Sequence, residues 1–275
     1  MSKNISDFKI MITKDKIDQF ICKIPPAPEA LKKTISLLEE GELIKASKVA
    51  QSDLALSSYL HDLVNRPVYG FSNEVNDISQ MFGILGVSGS QQAVYNYLIT
   101  LLSPAKWVLF KLNSHIFYEL QAKLSKRWEQ ILKHFQIKDK DIHSAITLLP
   151  ASIIVSEALF CEKIDDVNLL RTTSQIDYNT ILKRLCGMDL FDISQEIAIK
   201  WDMPTDIAKI IQASSGVKPS TDKEIDKLGK WMHLLLFYEL SKPIFVDAGL
   251  NDFIDFQVDY VQDIYEEFNK VLEIS

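Results

Sequence analysis

At 275 residues, 47% apolar and 24% charged with both signs mixed, the chain has the composition of an ordinary globular protein with room for a sizeable core. Its formal charge of -7 and pI near 5.3 argue against broad electrostatic attraction to nucleic acid or to an anionic membrane, since both need a basic face. Cys22, Cys161 and Cys186 are odd in number, far apart and without CxxC spacing, which favours free thiols in a reducing cytoplasm over a disulfide framework or a zinc site.

Residues 1–15, with charge where a signal peptide needs an apolar core, read as an extension. A short helix over Lys16 to Cys22 leads into the prolines of IPPAPEAL, where Pro26 starts a helix through Leu38 that Gly41 ends. Leu43 to Gln51 forms another. Asp53 then caps a helix with Leu56, Leu60, Leu63 and Val64 on one face, stopped where Arg66 meets Pro67. NRPVYGF is too polar and broken to be helical. Asn76 or Asp77 opens the next helix, with Gln80 placed for a capping box, Ile78, Met81, Phe82 and Leu85 as its stripe, and Gly86 as its end.

Ser88 or Ser90 caps a helix through Leu102, stopped by Pro104. Trp107 to Phe135 stays helical, with a break near Ser125. Asp139 or Asp141 caps a helix to about Phe160 whose apolar run, SAITLLPASIIVSEALF, contains Pro150 and Glu157 and falls short of the ~20 residues of a membrane span, so it reads as core. Ser174 precedes a helix to Cys186 that Gly187 terminates. Asp189 to Trp201, Pro204 to Ala213, Asp222 to Leu240 and roughly Leu250 to Leu272 complete the set, with SSGVKPST as a loop. No strand or fixed-period repeat is found, so the expectation is an all-α, multi-helix bundle.

The order and spacing of Pro25, Pro26, Pro28, Asp53, Leu60, Asn65, Tyr69, Gly70, Ile78, Leu85 and Gly86, followed far downstream by Gly187 to Ile211 with its Trp-x-x-Pro, resemble the HDOD family, the HD-related output domains of bacterial signalling proteins. Arg66 departs from that family's usual Ser. The resemblance covers roughly residues 16–215, leaving 1–15 as the extension and 216–275 as C-terminal helices packed on the same domain. It implies a bacterial, cytoplasmic regulatory module that binds a protein partner, with modulation by a small ligand left open, no nucleic acid or membrane partner, and the oligomeric state open. A divergent metal-dependent HD phosphohydrolase acting on a nucleotide, and a structural or oligomer-forming protein, are the alternatives.

HD phosphohydrolases bind metal through a His, a His-Asp pair and a later Asp, which polarise a phosphoryl oxygen and activate water. His61-Asp62 imitates the pair, but no histidine precedes it, so it reads as a helix-surface pair. Where the resemblance places the buried HD pair, within TLLPASI, stand Pro150 and Ala151. Leu190 and the run Ala213, Ser214, Ser215 occupy further positions where the family often keeps histidine. The expectation is therefore no enzyme activity, metal or cofactor.

His115, His134 and His143 suit no standard metal spacing, and His233 in WMHLLLF reads as a satisfied core histidine. Gly83, Gly86 and Gly89 mark a helix end, not a dinucleotide fingerprint. Lys123, Lys126, Arg127 and Lys133 form either a basic patch or, with Glu119 and Glu129 among them, a solvated face. Asp252, Asp255, Asp259 and Asp263 line one face of the last expected helix, as a docking stripe or a solvated face. The candidate interaction site is the loop of Asn65, Tyr69, Gly70 and Phe71. Its aromatics would anchor a partner; in the competing and favoured reading Tyr69 packs inward and Asn65 caps backbone groups.

Overall fold

The computed structural model describes residues 12–22, 29–200 and 203–273. The expectations for residues 1–11, the proline-started helix entry at 25–28 and Trp201 lie outside these, as does the Cys22 side chain. Among the described residues there are sixteen α-helical segments and no strand. The first five are α1 (Lys14–Cys22), α2 (Glu29–Glu39), α3 (Leu43–Gln51), α4 (Leu54–Val64) and α5 (Ile78–Thr100). Then come α6 (Ser114–His134), α7 (Lys140–Ser144), α8 (Leu148–Cys161), α9 (Ile164–Ser174), α10 (Tyr178–Cys186) and α11 (Leu190–Lys200). The chain closes with α12 (Thr205–Ala213), α13 (Lys223–Leu240), α14 (Pro243–Asp247), α15 (Val258–Val261) and α16 (Tyr265–Val271).

Local chemistry sets the helix starts. The Asp53 carboxylate accepts the Ala55 and Leu56 N–H groups at 3.0 Å, Asp77 accepts that of Gln80 at 2.8 Å, and Asn113 accepts that of Ile116 at 2.9 Å. Gly86, at φ 67° and ψ −177°, interrupts α5 and separates two helical halves.

The buried apolar residues form two cores, and both halves of α5 contribute to the first. Leu31, Leu38, Leu56, Leu60, Met81, Phe82 and Val94 pack within the first, formed by α2 to α5 with Ala122 of α6. The second gathers Phe117, Trp128, Ile153, Leu182, Ile210, Leu235 and Phe268, and so unites the C-terminal helices with the elements before residue 215. Its centre is α8, buried on nearly every side, as expected of a helix apolar all round. The run Asp141–Cys161 is long and apolar enough to cross a membrane, but 89% of its most apolar window lies inside the fold.

Several boundaries differ from expectation for physical reasons. The run Trp107 to Leu112 is not helical, because the N–H groups of Val108, Leu109 and Phe110 bond the buried Glu157 carboxyl instead of helix carbonyls. Helix α6 starts at Ser114 and does not break at Ser125, which is buried and accepts from Asn96 Nδ2 at 3.0 Å. A 3-10 turn at Ala145–Thr147 separates α7 from α8 and puts Pro150 in the first turn of α8, where proline is tolerated. Helix α9 is additional, and Asp177, not Ser174, caps α10 by accepting the Thr180 N–H at 2.7 Å.

The expected helix over Leu250 to Leu272 is three short pieces, so its aspartates do not form a stripe. Asp252 pairs with Arg171 at 2.5 Å, Asp255 lies 3.9 Å from Lys183, and Asp263 pairs with Lys230 at 2.8 Å. The basic run on α6 is likewise divided. Lys123 pairs with Glu119 at 2.6 Å and Lys133 with Glu129 at 2.8 Å, while Arg127 is drawn to Glu239.

Candidate functional site

Asn65 holds the loop closed. Its Nδ2 donates to the carbonyls of His61 and Val75, both at 2.9 Å, and its Oδ1 accepts the Val75 N–H at 2.7 Å. One side chain thus joins the end of α4 to the far side of the excursion. Within it, Pro67–Tyr69 make a single 3-10 turn that Gly70 closes at φ 69°, in the left-handed region that glycine adopts without strain. Tyr69 packs inward beside Leu63, Leu85 and Ala93, and burial, aided by nearby Glu129, pushes its phenol well above the usual range. Phe71 faces out, 43% exposed. Of the two aromatics, the loop presents the second and hides the first.

Beside the loop runs a groove of about 770 Å³ between the end of α4 and the start of α6. His61, Asp62, Arg66, Glu74, His115 and Lys123 are among the residues that line it. His61 is engaged on both ring nitrogens: Nε2 lies 3.1 Å from Asn76 Oδ1 and 3.0 Å from Glu74 Oε1, and Nδ1 lies 3.6 Å from Asp62 Oδ1. The Lys126 ammonium donates to the Val68 carbonyl and fastens α6 to the loop. Arg66 has little of this kind. Its guanidinium sits 5.5 Å from the Tyr118 ring centroid, Nη1 reaches the His115 carbonyl only at 3.5 Å, and the buried Nε meets no acceptor.

The other histidines are dispersed. His115 and His134 stand at opposite ends of α6, about 28 Å apart at 1.5 Å per residue. His134 bonds Glu267 at 2.8 Å and packs on Trp231, while His143 is buried on α7 with its pKa lowered, chiefly by burial. Among the described residues no group of three or more His, Cys, Asp or Glu is placed to hold a metal ion. Pro150 and Ala151 are closed inside the core on α8, and Leu190 is fully buried. The Ser214 and Ser215 hydroxyls donate back to the Ile211 and Gln212 carbonyls.

His233 is satisfied without ionising. Nδ1 bonds the Ser214 carbonyl at 2.8 Å, Nε2 accepts the Gln257 N–H at 3.1 Å, and the ring stacks on Phe256. Those partners fix the tautomer with its proton on Nδ1, and burial lowers the pKa.

Two buried acids were not singled out as sites from the sequence. Glu157 accepts three backbone N–H groups, at 2.6, 3.0 and 3.1 Å, and Glu239, fully buried, binds Arg127 at 2.6 Å and Lys242 at 3.0 Å. The signal for Glu157 was its isolation in an apolar run, because a lone carboxylate in a core helix must find donors.

Among the described residues the fold is a strandless helical bundle built around the largely buried α8. The model described as HDOD domain matches residues 24–217, and the chain belongs to the HDOD family. Among solved structures, an HDOD domain protein of unknown function from Geobacter sulfurreducens has 13% identity and a TM-score of 0.58, covering 94% of this chain and 95% of that one. A virulence factor from Campylobacter jejuni subsp. jejuni has 16% identity and a TM-score of 0.48, covering 94% and 96%. A Shewanella amazonensis SB2B protein, whose name carries a provisional assignment as a metal-dependent phosphohydrolase, has 12% identity and a TM-score of 0.49, covering 94% and 98%. No curated protein matches the sequence.

Proposed function

We infer that this chain is a non-catalytic regulatory module of a bacterial, cytoplasmic signalling pathway, and that it captures a protein partner on the face formed by Phe71 and the neighbouring groove. The observation that carries this reading is the placement of the groove: it opens beside an ordered loop that presents an exposed aromatic, the kind of feature that anchors interfaces. The positions where the family resemblance would put metal ligands support it, since the side chains of Pro150, Ala151 and Leu190 have no donor atom to offer a metal.

The test compares proteins co-purified with the chain and with Phe71→Ser from the source cells, together with the metal content of the native protein. A partner retained by the parent and lost by a variant of unchanged melting temperature is the expected result. Stoichiometric iron, manganese or zinc accompanied by hydrolysis of a nucleotide overturns the reading in favour of a phosphohydrolase.

A further inference from the structure

We propose that the groove is an anion-receiving site centred on Arg66, whose Nη groups take a compact oxyanion, a carboxylate or a phosphate. The inference deepens the binding role assigned to the same groove, but its test needs no partner. A guanidinium offers five N–H donors in a planar fork that matches two oxygens of one anion. Arg127 and Arg171 satisfy theirs with the carboxylates of Glu239 and Asp252 and with the carbonyls of Leu272 and Ile176. Arg66 has no carboxylate within ion-pair distance among the described residues. Its one hydrogen bond is long, at 3.5 Å, and its Nε is buried with no acceptor. A guanidinium without a carboxylate partner, on the wall of a groove wide enough for a small molecule or an inserted side chain, lacks a counter-ion that an oxyanion supplies.

The surroundings define the anion's size. His115 lies in the first turn of the 21-residue α6, whose N-terminal end carries the positive pole of the helix dipole, and Lys123 lines the same groove. Glu119 already holds Lys123, while Asp62 and Glu74 flank His61. Three carboxylates on the walls, in a chain of net charge -7, repel an extended polyanion and leave room for one compact group.

The experiment follows the arginine Nε–H cross-peaks of the full chain by NMR, at constant ionic strength, as inorganic phosphate or acetate is added. Arg66→Lys identifies the Arg66 peak. Arg184, which has a buried Nη1 without an acceptor but does not line the groove, is the internal control. The expected result is a saturable shift of the Arg66 peak with a Kd of roughly millimolar order and no shift at Arg184, and in Arg66→Lys at least about tenfold weaker binding of the same anion by calorimetry. Saturation by phosphate alone assigns a phosphoryl ligand; saturation by acetate, an acidic side chain or small carboxylate. A linear drift with both, or equal shifts at Arg66 and Arg184, overturns the site. Failure to retain a partner through Phe71, beside a saturable Arg66 shift, removes the protein-capture reading and leaves the anion site intact.

Discussion

Arg127 and Arg66 show how differently one chemistry is used in two regions of the molecule. Arg127, on α6, reaches across to the buried Glu239 on α13 and also touches the Leu272 carbonyl and the Tyr238 ring. It is structural: charge, hydrogen bonds and stacking are all used in holding helices together. Arg66, at the end of α4, has the ring contact and almost nothing else. Arg66, unlike Arg127, lines an open groove and has no carboxylate within ion-pair distance among the described residues, which leaves its charge to serve something outside the fold.

The comparison is broken most severely by Glu239→Ala, which leaves Arg127 and Lys242 without their common acid. Urea denaturation should show a loss of about 3 kcal/mol, at the low end for a broken buried pair because both cations still touch solvent. Glu157→Gln should cost about 2–3 kcal/mol, since an amide offers one acceptor oxygen and turns N–H donors toward the N–H groups of residues 108–110; calorimetry measures it.

A smaller effect comes from pH. His233 and His143 have folded pKa values below their ordinary 6.5, so the unfolded chain takes up their protons first. Their contribution to stability is complete above about pH 6.5. It declines as pH falls through that value toward the lowered folded pKa, by at most about 1.4 kcal/mol per pH unit for each group. Denaturation series from pH 8 to about 5.5 should show this slope, and His233→Gln should flatten it.

The helices that carry the site were legible because capping is local. Asp53, Asp77 and Gly86 act within four residues of where they stand, and each does what its residue type implies. The segment from Trp107 to Leu112 was illegible for the opposite reason. Its apolar spacing suits a helix, but the competing acceptor, Glu157, lies nearly fifty residues away in sequence and no periodicity reports it. The last expected helix failed similarly, since Asp252, Asp255 and Asp263 answer to Arg171, Lys183 and Lys230 on other elements. Of the site, the inward turn of Tyr69 and the clamp at Asn65 followed from the loop's own composition. The groove did not, because it needs α6 to pass beside the loop, and neither His115 nor Lys123 signals that from its place in the chain.

The break at Gly86 sets the grammar of the whole assembly. Beyond it, α5 turns glutamine and asparagine toward its neighbours: Gln92 donates to the His143 carbonyl at 2.7 Å, Asn96 to Ser125 Oγ at 3.0 Å, and Gln121 of α6 returns a bond to the Asn96 carbonyl at 3.2 Å. Greasy surfaces slide over one another at small cost, but an amide moved by about an ångström loses its bond. The amide bonds on the later half of α5 therefore fix its register against α6 and α7, where apolar contact alone would leave it free to shift.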